Sequence, residues 1–141
     1  MAAPTKHEMR IAGSPDGIGE VVVAFERFAA ENGIDDAVRR PVQIVLDELL
    51  SNTVRCGEVP GRALTIEVGF RLDGETLRVD LADDGVPFDP LGRQAPDTTL
   101  DLEDRPVGGL GILLVRSLVD EISYDGEGGR NHVRIGKRLG A

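Results

Sequence analysis

The chain has 141 residues, 40 % of them hydrophobic, and its 25 acidic and 16 basic residues give a net charge of −9. This size suits one compact domain, and the composition is that of a globular rather than a disordered protein. The negative charge disfavours direct binding to nucleic acid or to an anionic membrane, because phosphate groups are repelled. It suits a protein partner that is itself basic.

The N-terminus and the cysteine content bear on location and on metal chemistry. No apolar run approaches the roughly 20 residues needed to cross a bilayer, and residues 1–10 do not resemble a signal peptide. We therefore expect a cytoplasmic protein. One cysteine, Cys56, and two histidines are too few for a structural zinc site. Any bound metal is expected to have oxygen ligands.

The first third of the chain predicts a strand followed by two helices. Residues 8–12 can form the strand, and Ser14 followed by Pro15 is typical of a helix N-terminus. Asp35 can cap a second helix that runs to about Cys56. Apolar residues at helical spacing and a terminating glycine define the first helix: Val21, Phe25, Phe28, Ala29 and Gly33.

The middle of the chain predicts a β-hairpin and a long loop. Apolar residues alternate over residues 64–72 and again over residues 77–81, with Asp73 and Gly74 at the turn. Residues 85–107 contain four prolines and lack sustained periodicity. A loop of that length in so small a domain is usually functional or disordered.

The last third predicts a helix and a second hairpin. The helix is expected from Gly111, with one apolar stripe formed by Leu110, Leu114, Leu118 and Ile122. The hairpin turns through residues 126–129, and its apolar residues alternate at Val133, Ile135 and Leu139. The complete order of elements predicts an α+β two-layer sandwich, with helices on one face of a mostly antiparallel mixed sheet.

Three short motifs carry candidate chemistry. Glu48 and Asn52 are four residues apart on the second helix, so their side chains share a face, which we expect to point away from the main core contact. A carboxylate and an amide oxygen can hold Mg²⁺, or the carboxylate can act as a base while the amide orients the ion. The same spacing also occurs in ordinary solvated helix surfaces.

The second motif follows the predicted hairpin. Asp83 emerges where a strand ends and can accept a hydrogen bond from an exocyclic amine, while Gly85 lets the backbone approach a flat ring closely. The alternative is a simple polar turn. In the third motif, Gly109 and Gly111 open a helix after the long loop, which is the outline of a phosphate site. The alternative there is a flexible hinge.

In this order, the motifs resemble those of the GHKL (Bergerat-fold) ATPases, and specifically the anti-sigma-factor serine/threonine kinases of bacteria. The resemblance rests on residues 46–52, 83–90 and 105–111 and extends over nearly the whole chain. It implies one histidine-kinase-like ATPase domain over residues 1–141, with an ATP lid at about residues 89–109.

The resemblance also implies roles for individual residues. Glu48 matches the general base, Asn52 the Mg²⁺ ligand, Asp83 the carboxylate that binds the adenine amine, and Gly85 the glycine that packs near the base. The lid region supplies three more candidates for nucleotide binding: Gly109 and Gly111, which allow closure over the phosphates, and Arg105, which matches lid residues that reach the terminal phosphate.

Two positions depart from the family pattern. Pro87 stands where the wider superfamily has a second glycine, although the run Pro-Phe-Asp-Pro is similar to that of the anti-sigma branch. Cys56 stands where many relatives have histidine, so any contribution of that histidine to transfer is absent.

The resemblance implies an ATP- and Mg²⁺-dependent kinase that phosphorylates an anti-anti-sigma (STAS-type) antagonist and sequesters a sigma factor. It also implies a homodimer as the candidate assembly. The alternative is a non-catalytic module that binds a regulator in an ATP-dependent way. A detached histidine-kinase domain would need a phosphoacceptor histidine on a helical hairpin, and His7 lies on a predicted strand instead.

Overall fold

The computed structural model describes residues 5–87, 89–91 and 109–140, with the backbone alone at residues 109–112. The helices in this part of the chain are α1 (Pro15–Glu31), α2 (Asp36–Cys56) and α3 (Gly109–Leu118). The strands are β1 (Lys6–Ala12), β2 (Thr65–Asp73), β3 (Thr76–Asp83), β4 (Glu121–Asp125) and β5 (Asn131–Arg138).

The strands form one sheet in the order β1-β2-β3-β5-β4, and each of these pairings is antiparallel. The central strand β3 ends at Asp83, which lies opposite Ile66 of β2 and Asn131 of β5. The helices and one face of the sheet share a single apolar core. The predicted α+β two-layer sandwich is therefore confirmed.

The core forms where strand alternation meets the apolar stripes of the helices. Phe70 of β2 lies at its centre, with ring centroids 5.2 Å from Phe25 and 5.8 Å from Phe28 of α1. Burial of such rings supplies much of the driving force for folding. The other sheet face carries charged and polar side chains, so the alternation of each strand decides which side chains the helices cover.

The first helix begins and ends where its sequence predicts. Ser14 accepts a hydrogen bond from the Gly17 amide at 3.2 Å, and Pro15 is the first helical residue. Gly33 has a φ of 62°, in the left-handed region that glycine adopts without strain. Asp35 stands at the N-cap position of α2, but its side chain makes no capping hydrogen bond.

The prediction for the third helix was partly wrong. Helix α3 begins at Gly109 and ends at Leu118, so Ile122 belongs to β4 instead. Leu114 is 47 % exposed, whereas Val115 is fully buried. Residues spaced by four drift by about 40° per step around a helix, so a stripe of that spacing does not stay on one face.

Most of the predicted lid, residues 89–109, lies outside the described residues.

Within the described part of the chain, no helix has both the length and the apolar character needed to cross a membrane.

Candidate functional site

The candidate site is a pocket between the C-terminal half of α2, the adjoining ends of β3 and β5, and the loop after β3. Its polar lining comes from Asn52, Thr53, Asp83 and Asn131. The rest of the wall is apolar or glycine: Leu49, Gly57, Ile66, Leu81, Val86, Pro90 and Val133. Apolar walls with a few convergent polar groups are typical of small-molecule sites.

Asp83 is buried at the end of β3, and hydrogen bonds fix its carboxylate. Its Oδ1 accepts from the Gly85 amide at 2.9 Å and from Asn131 Nδ2 at 2.9 Å. Within the described residues, no hydrogen bond reaches Oδ2. The carboxylate therefore offers one acceptor oxygen that is not used by these neighbours.

Asn131 is a site residue that the sequence analysis missed. It is 5 % exposed and lies opposite Asp83 on the neighbouring strand. The sequence did contain a signal for it. Strand alternation places Asn131 on the same face as Val133 and Ile135, which were predicted to face the core. A polar residue on the core face of a strand needs hydrogen-bond partners.

Gly85 has a packing role that the sequence did not predict. A Cβ at this position would collide with the carbonyl oxygen of Gly57 and would lie 2.8 Å from its Cα. The Val86 amide donates to the same Gly57 carbonyl at 3.1 Å. In this structure Gly85 therefore allows the loop after β3 to pack directly on the end of α2, which closes one side of the pocket.

Asp84, next to the pocket, has a structural role. Its Oδ1 accepts from the Thr65 amide at 2.9 Å, and Oδ2 lies 3.1 Å from NH1 of Arg62. The Thr65 hydrogen bond, with a smaller contribution from Arg62, lowers the pKa of the Asp84 carboxyl below its usual value. The ionised form thus connects Arg62 and Thr65 to the end of β3.

Asn52 lines the pocket, whereas Glu48 does not. Asn52 is 5 % exposed, although this face of α2 was expected to point away from the main core contact. The reason is tertiary, because the segment carrying Val86 and Pro90 covers this side of the helix. Glu48, one turn earlier, is half-buried.

A cation already contacts the Asn52 amide oxygen. The Arg55 guanidinium donates to Asn52 Oδ1 from three residues further along α2. This oxygen is the predicted Mg²⁺ ligand, so the ion would have to take the place of the Arg55 contact. Within the described residues, no group of three or more His, Cys, Asp or Glu side chains is arranged to hold a metal ion.

The remaining predicted residues are those of the predicted lid region and the start of α3. Gly109 and Gly111 occupy the first turn of α3, so the predicted link between these glycines and a helix start is confirmed. Arg105 lies outside the described residues.

The free space inside the pocket amounts to about 20 Å³ for the centre of a water molecule. That is room for about one water, so a purine base does not fit without a change in the pocket walls.

Comparison with solved structures identifies the class of fold. The chain superimposes on a structure of the RsbU and RsbW domains of Rv1364c from Mycobacterium tuberculosis, with a TM-score of 0.67 and 16 % identity. The match covers 97 % of this chain but 33 % of the other, so it spans about a third of that protein's length. The shared architecture is that of a histidine-kinase-like ATP-binding sandwich.

Sequence comparison then gives the family. A model of the histidine kinase-like ATPase domain matches residues 11–137, and the chain belongs to this family. It is 27 % identical over 111 residues to the serine/threonine-protein kinase BtrW of Bordetella bronchiseptica, covering 79 % of this chain and 78 % of the relative. It is 25 % identical over 128 residues to the serine-protein kinase RsbW of Bacillus subtilis, covering 86 % and 79 %.

The resemblance inferred from the three motifs is confirmed by these comparisons. Membership of an ATPase domain family implies that the chain binds ATP. The chemistry of the pocket lining suits this ligand, since it combines apolar walls with the Oδ2 acceptor of Asp83.

Proposed function

We propose that this chain is a protein kinase that transfers the γ-phosphoryl group of ATP to a serine or threonine of an anti-anti-sigma (STAS-type) antagonist. We also propose that the chain acts by partner switching: it sequesters a sigma factor when the antagonist is phosphorylated. One observation carries the proposal: Asn52 of α2 and Asp83 of β3, distant in the sequence, line the same pocket. The kinase names of the relatives support the reaction type.

Adenine binding is assigned to the β3 end of the pocket. The Asp83 carboxylate accepts a hydrogen bond from the adenine amino group through Oδ2. A charge-assisted bond in a buried site contributes about 1.5–3 kcal/mol. The apolar walls, including Leu49 and Ile66, contact the faces and edges of the ring. Gly85 lies near the base as part of the loop that closes the pocket.

The phosphate end is assigned to α2 and the start of α3. The amide oxygen of Asn52 serves as a ligand for Mg²⁺, a hard ion that prefers oxygen. When bound there, Mg²⁺ would supply positive charge against the negative charge that develops on the transferred group. The amides of Gly109 and Gly111, at a helix N-terminus, suit phosphate oxygens, and Arg105 in the lid is assigned to the terminal phosphate.

Glu48 is assigned as the general base. The incoming hydroxyl oxygen forms a bond to the γ-phosphorus, the bond to the β-phosphate oxygen breaks, and ADP leaves. The hydroxyl proton moves to the Glu48 carboxylate. Glu48 is half-buried beside the pocket rather than in its wall. A base for a protein substrate needs such a position, because the substrate hydroxyl approaches from outside.

The charge of the chain supports the assigned partners. A sigma factor binds DNA and carries basic surface, which complements a chain of net charge −9. The same charge disfavours direct contact with nucleic acid or an anionic membrane. The proposal places the protein in the cytoplasm, where sigma factors act, and includes a homodimer as its assembly.

One contact favours the second candidate, a non-catalytic ATP-dependent module that binds a regulator. Arg55 already supplies a positive charge to Asn52 Oδ1, the atom assigned to Mg²⁺. If that contact persists with nucleotide bound, Mg²⁺ has one protein ligand fewer and transfer is impaired, whereas ATP-dependent partner binding survives.

The test begins with capture from extract of the source cell, with and without Mg·ATP, followed by mass spectrometry. Recovered partners are then incubated with the purified chain and γ-³²P-ATP. Transfer of label to a serine or threonine of one partner, and displacement of a sigma factor by the unphosphorylated antagonist, are the expected results. Asp80→Asn, a substitution on the opposite sheet face, is the control variant and should behave like the wild type in both steps. ATP-dependent capture without any transfer would establish the second candidate instead.

A further inference from the structure

The side-chain amide of Asn131 connects three parts of the pocket. Nδ2 donates to Asp83 Oδ1 at 2.9 Å and to the Val86 carbonyl at 3.0 Å. The Tyr124 hydroxyl donates to Asn131 Oδ1 at 2.6 Å. One buried side chain thus joins β4, the end of β3 and the loop that forms the outer pocket wall.

The chemistry of these neighbours determines which way the amide points. The Asp83 carboxylate and the Val86 carbonyl have acceptor atoms only, so the side of Asn131 that faces them must be the NH₂ group. The carbonyl side then faces Tyr124, whose hydroxyl can donate. The reverse orientation would place three acceptor oxygens together in a buried site, at a large cost in free energy.

This arrangement restrains the carboxylate of Asp83. With Oδ1 held by the Gly85 amide and by Asn131, the plane of the carboxylate is fixed from two directions. Rotation about its χ2 angle would break both bonds. A carboxylate held in this way needs no reorganisation when a ligand binds. Such preorganisation increases affinity.

We propose that Asn131 is a positioning residue that fixes Asp83 with Oδ2 available to the ligand, and so determines the preference of the pocket for a purine with an amino group at C6. The inference rests on the proposed ATP site and adds a residue that acts through Asp83. Tyr124 supports it by holding Asn131 from the opposite side.

A pair of nucleotides isolates this role. ATP and purine riboside 5′-triphosphate differ only in the C6 amino group. The Kd of purine riboside 5′-triphosphate divided by the Kd of ATP therefore reports the bond between Asp83 and that group. A defect in pocket shape weakens both nucleotides and leaves the ratio unchanged. A defect in the orientation of Asp83 weakens ATP selectively and lowers the ratio.

The experiment measures both Kd values by calorimetry for the wild type, Asn131→Asp and Tyr124→Phe. We expect the wild type to prefer ATP by about tenfold or more, as one charge-assisted hydrogen bond predicts. Asn131→Asp keeps the shape of the side chain but replaces its donor by an acceptor facing Asp83, so the ratio should fall close to one. Tyr124→Phe keeps both donors of Asn131, and its ratio should be intermediate.

The controls separate this inference from the proposed function. Asn32→Asp, the same chemical change at the end of α1, should leave the ratio at its wild-type value. Should Asn131→Asp fail to fold by circular dichroism, Tyr124→Phe decides alone. Parallel weakening of both nucleotides, or an unchanged ratio in the variants, refutes the inference while leaving ATP binding intact. Failure of the wild type to bind ATP refutes the proposed function as well.

Discussion

Gly85 and Gly57 pack backbone against backbone, so that the loop after β3 lies directly on the C-terminal end of α2. A Cβ at Gly85 would lie 2.8 Å from the Cα and 2.9 Å from the carbonyl carbon of Gly57. Both atoms belong to the main chain and cannot rotate away. The two walls of the pocket are therefore held at a separation that only glycine at position 85 allows.

Gly85→Ala is expected to destabilise the protein by about 1–3 kcal/mol, the usual cost of overpacking, and to weaken ATP binding because the walls move apart. Urea unfolding and calorimetry measure the two effects. The control is Gly19→Ala in α1, where an added Cβ meets nothing within 4 Å. This control should be neutral or stabilising by up to about 1 kcal/mol. Equal stability of the two variants would contradict the packing argument.

Asp83→Asn is expected to weaken ATP binding by about tenfold or more, since the amide presents a donor or a neutral acceptor where the adenine amine needs a charged acceptor. The measurement is the Kd for ATP by calorimetry, compared with that of Asp80→Asn. Asp80 lies on the opposite sheet face and contacts Arg71 and Arg134 at 3.9–4.0 Å. Wild-type affinity in Asp83→Asn would exclude Asp83 from the site.

Glu48→Ala is expected to separate binding from transfer. Because a general base acts on the incoming hydroxyl, its removal should lower turnover by about 10²–10⁴ and leave ATP affinity nearly unchanged. Asn52→Ala should instead weaken the Mg·ATP complex itself, since a metal ligand is lost. Calorimetry and radiolabel transfer to the captured antagonist are measured for both variants. Undiminished transfer by Glu48→Ala would overturn the assignment of the base.

Asp84→Asn is expected to change how stability depends on pH. Folding lowers the pKa of Asp84 through the Thr65 amide and Arg62. Its carboxylate thus stabilises the folded state above the unfolded pKa of about 3.9, and this contribution is lost as pH falls through the folded pKa. The variant should be less stable than the wild type at pH 7, and the difference should shrink below about pH 4. Urea unfolding from pH 7 to pH 3 tests this, and a constant difference would contradict it.

Much of the fold could be predicted from local patterns. Ser14, Pro15 and Gly33 delimit α1 by backbone preferences that act within a few residues. The alternation around Asp73 and Gly74 correctly predicts the first hairpin for the same reason. The third helix was harder, because its boundaries depend on the residues that follow Leu118, where the chain turns into β4.

The candidate site could also be predicted from the sequence only in part. The motifs containing Asn52 and Asp83 were recognisable because their residue types and order are specific, and the structure brings both residues to one pocket. Neither Asn131 nor Gly57 belongs to such a motif, although strand parity places Asn131 on the core face of β5. Each acts through a neighbour that is far away in the sequence.

The sequence by itself determined most of the secondary structure, the α+β class and the family, since these depend on local preferences, strand alternation and the order of short motifs. Only the tertiary structure decided that Asn52 is buried, that Asn131 holds Asp83, and that Gly85 packs on Gly57. The physical reason is that burial and hydrogen-bond partnership are properties of pairs of surfaces. These surfaces meet only when β3, β5 and α2 have taken their places in the sandwich.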